Sequence, residues 1–317
     1  MRRVLTTSVT RASVGAAMLL AALTGCDTTA PSDHEPEIVV EAYLVAGESL
    51  PSVWVSRTED VDREYDPRTA AVDEADVRVE LLSVNGDVET SWTYVRGFGS
   101  AGRYVPAESG EVLAGRQYRL HVDVEGFDPV RSVAQVPGAF DLISVSHDAI
   151  EYQDPAQVGY TVTNSVYPGR QTIFIFSIAA ENPSIETLTP LYRQIIYDIG
   201  PDESIEGRNL DPDEMNEILI NTSPPVNEGN YDQNPDGTLT VSLPWFAVAF
   251  YGRTETVIYA VDDNLYDFLR YAQVQQGGST LSPGEIPNVR DNVNGGRGVF
   301  AAMAKVSSVV DILRETD

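Results

Sequence analysis

Residues 75–95 read ADVRVELLSVNGDVETSWTYV, and their alternation settles the fold class. Val77, Val79 and Leu81 fall on one side of an extended chain, with Arg78 and Glu80 on the other. That two-residue period marks a strand with one face in a core. Asn85-Gly86 then supplies residues that tolerate positive φ, and a second alternating run starts at once. This is the strongest short-range hairpin signal in the chain.

The same pattern extends outward. Strands are expected at 38–45 (IVVEAYLV), 52–56 (SVWVS), 102–105, 117–124 (QYRLHVDV) and 130–136. Short strands at close intervals, with no helical stretch among them, predict a β-sandwich of immunoglobulin or transthyretin type over residues 38–137. Pro137-Gly138 breaks the pattern and is the expected boundary. Residues 138–317 read as a second β-rich domain, with strands at 141–146, 172–179, 238–243, 256–261 and 299–306 and two short helices. The first helix starts at Asp211-Pro212-Asp213-Glu214, a capping acid followed by proline in the first turn, and ends near Ile220. The second, over 264–273, places Leu265, Phe268, Leu269 and Ala272 on one face. The fold class is therefore mainly β.

The beginning of the chain has a different character. Arg2, Arg3 and Arg11 precede the apolar run VGAAMLLAAL, which is too short to cross a bilayer, and Leu23-Thr24-Gly25-Cys26 follows. The order is that of a secretory signal peptide, and the last four residues resemble the lipobox of bacterial lipoproteins. Residues 1–25 are thus expected to be removed and Cys26 to carry lipid, which puts the protein in the cell envelope as a membrane-anchored lipoprotein. Cys26 is the single cysteine, so once acylated it leaves no thiol for a disulfide, and stability must come from a packed core. Residues 26–37, polar and proline-bearing, read as a flexible tether.

Acidic residues outnumber basic ones 48 to 21, a net charge of −27. The three arginines of the signal segment go with it, and no acid does. Such a surface repels nucleic acid and anionic headgroups. Lys305 is the one lysine. Very acidic, lysine-poor surfaces suit high salt, where cations screen the self-repulsion, and a halophilic source is expected.

Sites of chemistry are scarce. The chain has no Gly-x-Ser-x-Gly, His-Glu-x-x-His, phosphate-binding glycine loop or dinucleotide fingerprint. His34, His121 and His147 are scattered, and His121 lies in an alternating run that predicts a sheet-surface position. No catalytic residue and no resident cofactor are expected. One segment, Asp232-Gln233-Asn234-Pro235-Asp236-Gly237, matches the first half of a calcium loop, with Asp232, Asn234 and Asp236 as ligands. Leu243 occupies the twelfth position, where a bidentate acid belongs, so any calcium site here is weak. The competing reading is a Pro-Asp-Gly turn that feeds the next strand. Trp54, Trp92 and Trp245 are candidate stacking platforms, two of them expected in cores.

Several segments together resemble one family. They are VVEAYL at 39–44, Ser56-Arg57-Thr58, Ala75-Asp76-Val77, GRQYRL at 115–120, YDFL at 266–269 and NVNGGRGVF at 292–300. The chain is similar across nearly all of its mature length to the uncharacterised lipoproteins of Bacteroidetes-type bacteria grouped as domain of unknown function 4249. It departs at Arg297, where a small apolar residue is expected, and at Ala301-Ala302, where Gly-Ala is expected. The family assigns no catalytic or ligand residue. What the resemblance implies is an accessory or binding role at the outer membrane beside a TonB-dependent receptor, without catalysis. The rival expectations are an envelope hydrolase acting on glycans through carboxylates, and a structural or adhesive surface module.

Overall fold

A computed structural model describes residues 35–60, 66–197, 221–231, 233–275 and 292–315. Sixteen strands are formed among them. The first seven are β1 (Ile38–Val45), β2 (Val53–Arg57), β3 (Asp76–Leu82), β4 (Val88–Arg96), β5 (Arg103–Pro106), β6 (Gln117–Asp123) and β7 (Val130–Gln135). Then come β8 (Leu142–Val145), β9 (Ala149–Glu151), β10 (Val158–Val162), β11 (Ile173–Ala180), β12 (Asn221–Thr222) and β13 (Val226–Asn227). The last three are β14 (Leu239–Leu243), β15 (Gly252–Val261) and β16 (Arg297–Leu313). Helices are α1 (Pro67–Ala70), α2 (Pro190–Tyr197) and α3 (Asp263–Gln275). The mainly β class expected from the alternation is what the chain adopts.

The expected hairpin closes as β3 and β4. Ser83 N–H donates to the Asp87 carbonyl at 2.8 Å, and Gly86, at φ 85°, bends the chain at its tip. The inward residues Val77 and Val79 are fully buried, together with Tyr118, Leu120 and Val122 of β6. One helix was not expected in this half. Asp66 caps the single turn α1 through the Arg68 N–H, and Pro67 opens it. Four residues are too few to leave a periodic apolar stripe, which is why alternation alone missed it.

Thirteen strands join in one large sheet, ordered β12-β11-β15-β16-β1-β2-β5-β4-β3-β6-β7, with β13 on β11 and β9 on β16. Its second end rolls over. Arg131 of β7 exchanges backbone hydrogen bonds of 2.9 and 2.8 Å with Asn294, just before β16. The first half of the chain is thereby wrapped around one core. In the second half the sheet is faced by a smaller one, ordered β14-β10-β8.

The 17-residue strand β16 unites the halves. From Arg297 to Met303 it pairs in parallel with β1, and from Met303 to Ile312 antiparallel with β15. Phe300 and Ala302 enter the first core, while Ala304, Val310 and Ile312 enter the second. The core changes between Val136 and Phe140, at the Pro137-Gly138 step, while hydrogen bonding continues through β16. β11 is buried on both faces, with Phe174, Phe176 and Ile178 in the second core and Ile173 and Ile175 under α3. Its sequence IFIFSIAA is accordingly a continuous apolar run.

The segment 292–300 acts as a clasp. Asn292 Nδ2 donates to Ser132 Oγ at 2.9 Å and to the Phe300 carbonyl at 2.6 Å, and Asn264 Nδ2 donates to the carbonyls of Val133 and Phe300. Gly298, at φ 106°, lies so close to β1 that a Cβ would strike the Val40 carbonyl oxygen. Arg297, the departure from the family pattern, donates to Glu37 Oε2 at 2.8 Å on the exposed side. Ala301 and Ala302 are fully buried.

Candidate functional site

The second half contains a cleft of about 400 Å³ between the two sheets. Its walls follow from strand alternation. In β10, Val158, Tyr160 and Val162 point inward, and in β14 so do Leu239, Val241 and Leu243. Facing them across the core are Phe176 and Ile178 of β11 and Thr256 of β15. Tyr160 spans the gap, its hydroxyl donating to Thr256 Oγ1 at 2.9 Å. Beside this strut the sheets part. There the described residues give the large sheet only the two-residue strands β12 and β13.

The rim is built by irregular backbone. Pro244, Phe246 and Ala247 form one lip, Asn221, Ser223 and Pro224 the other, and Tyr192 of α2 leans in. Asn221 Nδ2 donates to the Ala247 carbonyl at 2.7 Å and to the Tyr192 hydroxyl, which itself donates to the Phe246 carbonyl at 3.2 Å. Burial raises the phenol pKa of Tyr160, Tyr192 and Tyr231. All three remain neutral donors at physiological pH. Among the described residues that line it none is charged, and none is a histidine or cysteine. The arrangement suits binding of a neutral, largely apolar molecule.

The residues singled out in the sequence lie elsewhere. Cys26, His34 and Asp232, with the helix expected from Asp211, fall outside the described residues. Asn234 and Asp236 belong to a hairpin. Asn234 N–H donates to the Thr238 carbonyl at 2.8 Å and Gly237 N–H to the Asn234 carbonyl at 2.9 Å, the bonding pattern also found between Ser83 and Asp87. The Asn234 amide reaches the hydroxyls of Thr238 and Thr240, and Asp236 Oδ1 accepts from the Thr238 hydroxyl at 2.7 Å. That hydrogen bond lowers the Asp236 pKa. Among the described residues no three acidic, histidine or cysteine side chains converge as metal ligands.

His121 is not the surface residue its alternation suggested: it is buried, 8% exposed. It lies on the outer face of the sheet, covered by a charged cluster. Glu80 Oε2 accepts from Arg119 at 2.7 and 2.9 Å and lies 3.0 Å from His121 Nε2, while Arg131 Nε donates to His121 Nδ1 at 3.1 Å. Burial pushes Glu80 upward, but hydrogen bonds from Arg119 and His121 outweigh it and leave its pKa low. Burial lowers the His121 pKa against the pull of Glu80. A two-residue period reports which face a residue occupies; it does not report what neighbouring long side chains cover.

Of the tryptophans, Trp92 stacks on Tyr118 at 6.4 Å beside the first core, and Trp245 meets Tyr152 edge-on at 5.8 Å beside the second. Trp54 is 43% exposed. Two of the three were expected in cores; Trp92 and Trp245 are partly buried and pack against the cores rather than within them. The wall that β10 contributes went unread because that strand was not expected. Val158, Tyr160 and Val162 carry the alternation that could have found it.

A family model described as "Domain of unknown function (DUF4249)" matches residues 26–308. No curated protein matches the chain. Among solved structures, trypsin-activated alpha-2-macroglobulin from Escherichia coli aligns with 88% of this chain and 16% of its own, at 12% identity and a TM-score of 0.22. Salmonella alpha-2-macroglobulin reacted with methylamine aligns with 88% and 15%, at 12% identity and 0.22. A tetra-tandem repeat from the extending region of a large adhesion protein aligns with 88% and 50%, at 9% identity and 0.22. The chain thus spans half or less of each, and TM-scores this low carry no argument about its fold or activity.

Proposed function

The chain belongs to the DUF4249 family, and from that premise we propose that it is a lipid-anchored binding protein of the outer membrane, without catalysis of its own. Its cleft takes a neutral, largely apolar ligand and serves a TonB-dependent receptor. The observation that carries the reading is the cleft: about 400 Å³, walled by aromatic and aliphatic side chains, with hydroxyl and amide groups at its rim and no charge among the described residues of its lining. Pockets of this size and lining hold small molecules, oriented by a few polar groups. The signal-like start and Cys26 support the anchoring part, and the family resemblance supports the receptor part.

The neutral apolar fluorophore N-phenyl-1-naphthylamine tests the cleft. Saturable one-to-one binding is expected, weakened several-fold by Phe246→Ala at the exposed lip and abolished by Thr222→Glu, which brings an unpaired charge to the mouth. Binding that survives both substitutions places the probe elsewhere and sinks the reading. For the anchor, labelled fatty acid should enter the wild type and not Cys26→Ser, which should leave the membrane fraction. A pull-down from native membranes tests the receptor.

A further inference from the structure

Two apolar side chains stand fully exposed at opposite ends of β4. Val84 sits at the β3–β4 hairpin tip, and Phe98 at the β4–β5 loop tip. The nine residues of β4 separate them by roughly 30 Å. Their settings differ. Phe98 lies between Gly97 and Gly99, on a loop whose base is fixed. Asp73 accepts from Arg96 at 2.5 Å on one side of that base and from the Gly102 N–H at 2.8 Å on the other, and Val55 N–H donates to the Gly102 carbonyl at 2.7 Å.

The loop also lies at a particular pole. β5 begins there, its antiparallel partner β2 ends there at Arg57, and Arg57 pairs with Ile38, the first residue of β1. The chain therefore enters the fold from the pole that Phe98 crowns. Cys26 precedes Ile38 by twelve residues, a covalent reach of about 40 Å at most. A second aromatic stands nearby. The stem of Arg103 packs beside Gly97, and its guanidinium lies 6.0 Å from the ring of the half-exposed Trp54. Aromatic rings next to arginine are the chemistry of a membrane-water interface.

We propose that the 97–102 loop, led by Phe98, is a membrane-contact tip that seats this pole on the bilayer holding the lipid of Cys26. The proposal rests on the lipid-anchored reading above. One phenylalanine is too small an apolar surface to hold a protein to a membrane unaided. Once a lipid fixes the chain within a tether's length, the contact is intramolecular and needs only to orient the body. The contact suits a zwitterionic bilayer surface, since the net charge of the chain without its signal segment, 18 − 48 = −30, opposes anionic headgroups. Orientation has a consequence for the cleft. β16 starts at this pole beside β1, and its Ser308, paired with the cleft residue Thr256, lies ten residues beyond Gly298. That is roughly 30 Å along the strand. A body seated on Phe98 holds the cleft away from the bilayer, open to a soluble or membrane-embedded partner.

The test uses the full lipidated chain in phosphatidylcholine vesicles that carry spin-labelled acyl chains. Phe98→Cys and Val84→Cys are each labelled with a polarity-sensitive fluorophore, Cys26 being acylated. Both positions are fully exposed, so neither label disturbs the core. Quenching several-fold greater at position 98 than at 84, with a blue shift at 98 alone, is the expected result. Equal quenching, or none at either position while the protein floats with the vesicles, overturns the contact and leaves the anchor standing. Protein that fails to float removes the anchor and the contact together.

Discussion

The two halves of the chain meet the same demand, burial of alternating apolar residues, with opposite results at their edges. In the first half the sheet rolls until β7 meets the run-up to β16, and the two backbone bonds between Arg131 and Asn294 seal the edge. In the second half two separate sheets face each other, and at that edge the described residues form the two-residue strands β12 and β13 on β11. The first edge leaves a closed core; the second leaves a cleft. Among the described residues the two edges differ in how their strands meet, not in the apolar character of what lines the interior.

The seal is the place to break the comparison most severely. Gly298→Ala drives a Cβ into the Val40 carbonyl of a paired strand and should cost more than about 4 kcal/mol, or prevent folding. Gly252→Ala is the matched control, at φ 98° with open space around it, and should cost about 1–3 kcal/mol from backbone strain alone. Equal losses in urea titrations would show that the close approach to β1 contributes nothing. On the outer face of the sealed half, Glu80→Ala leaves the guanidinium of Arg119 and the ring of His121 without their acceptor, at an expected cost of about 3 kcal/mol. A loss under 1 kcal/mol would mean that water replaces the carboxylate readily.

The joint between the halves gives a prediction with a pH signature. Asp262 is buried and caps α3 through the Leu265 N–H at 2.8 Å, while its other oxygen, Oδ2, has no hydrogen-bond partner among the described residues. Burial pushes its pKa up to about 7. The folded state then holds a proton that the unfolded chain has released. Stability from this group is full below pH about 4 and declines between pH about 4 and 7. Asn is as good a cap as Asp. Asp262→Asn should therefore remove that decline and raise stability at pH 8 by on the order of 2 kcal/mol. Parallel pH profiles of mutant and wild type would count against an ionisable Asp262. The smallest effect belongs to the open half. Tyr160→Phe removes the strut to Thr256 and should cost about 1 kcal/mol, since the hydroxyl left behind borders the cleft, where water can reach it. A loss as large as that of Glu80→Ala would mean that the cleft is as dry as the sealed core.

The sequence by itself determined the mainly β class, the hairpin at Asn85-Gly86, and the existence of strands at 172–179 and 299–306, though not the two-sided burial of the first or the 17-residue length of the second. Each of these is written in short-range periodicity or turn chemistry, which needs only neighbours a few residues away. It also carried the family, through the segment 292–300, though not the reason for that segment. Only the fold shows that Asn292 and Asn294 fasten to Ser132 and Arg131, some 160 residues earlier in the chain. The burial of His121 depended on long side chains from three strands meeting over one face, and the cleft on β10, β11, β14 and β15 meeting across a gap. Tertiary structure decided both, because periodicity says which way a side chain points, whereas a site requires knowing what stands opposite.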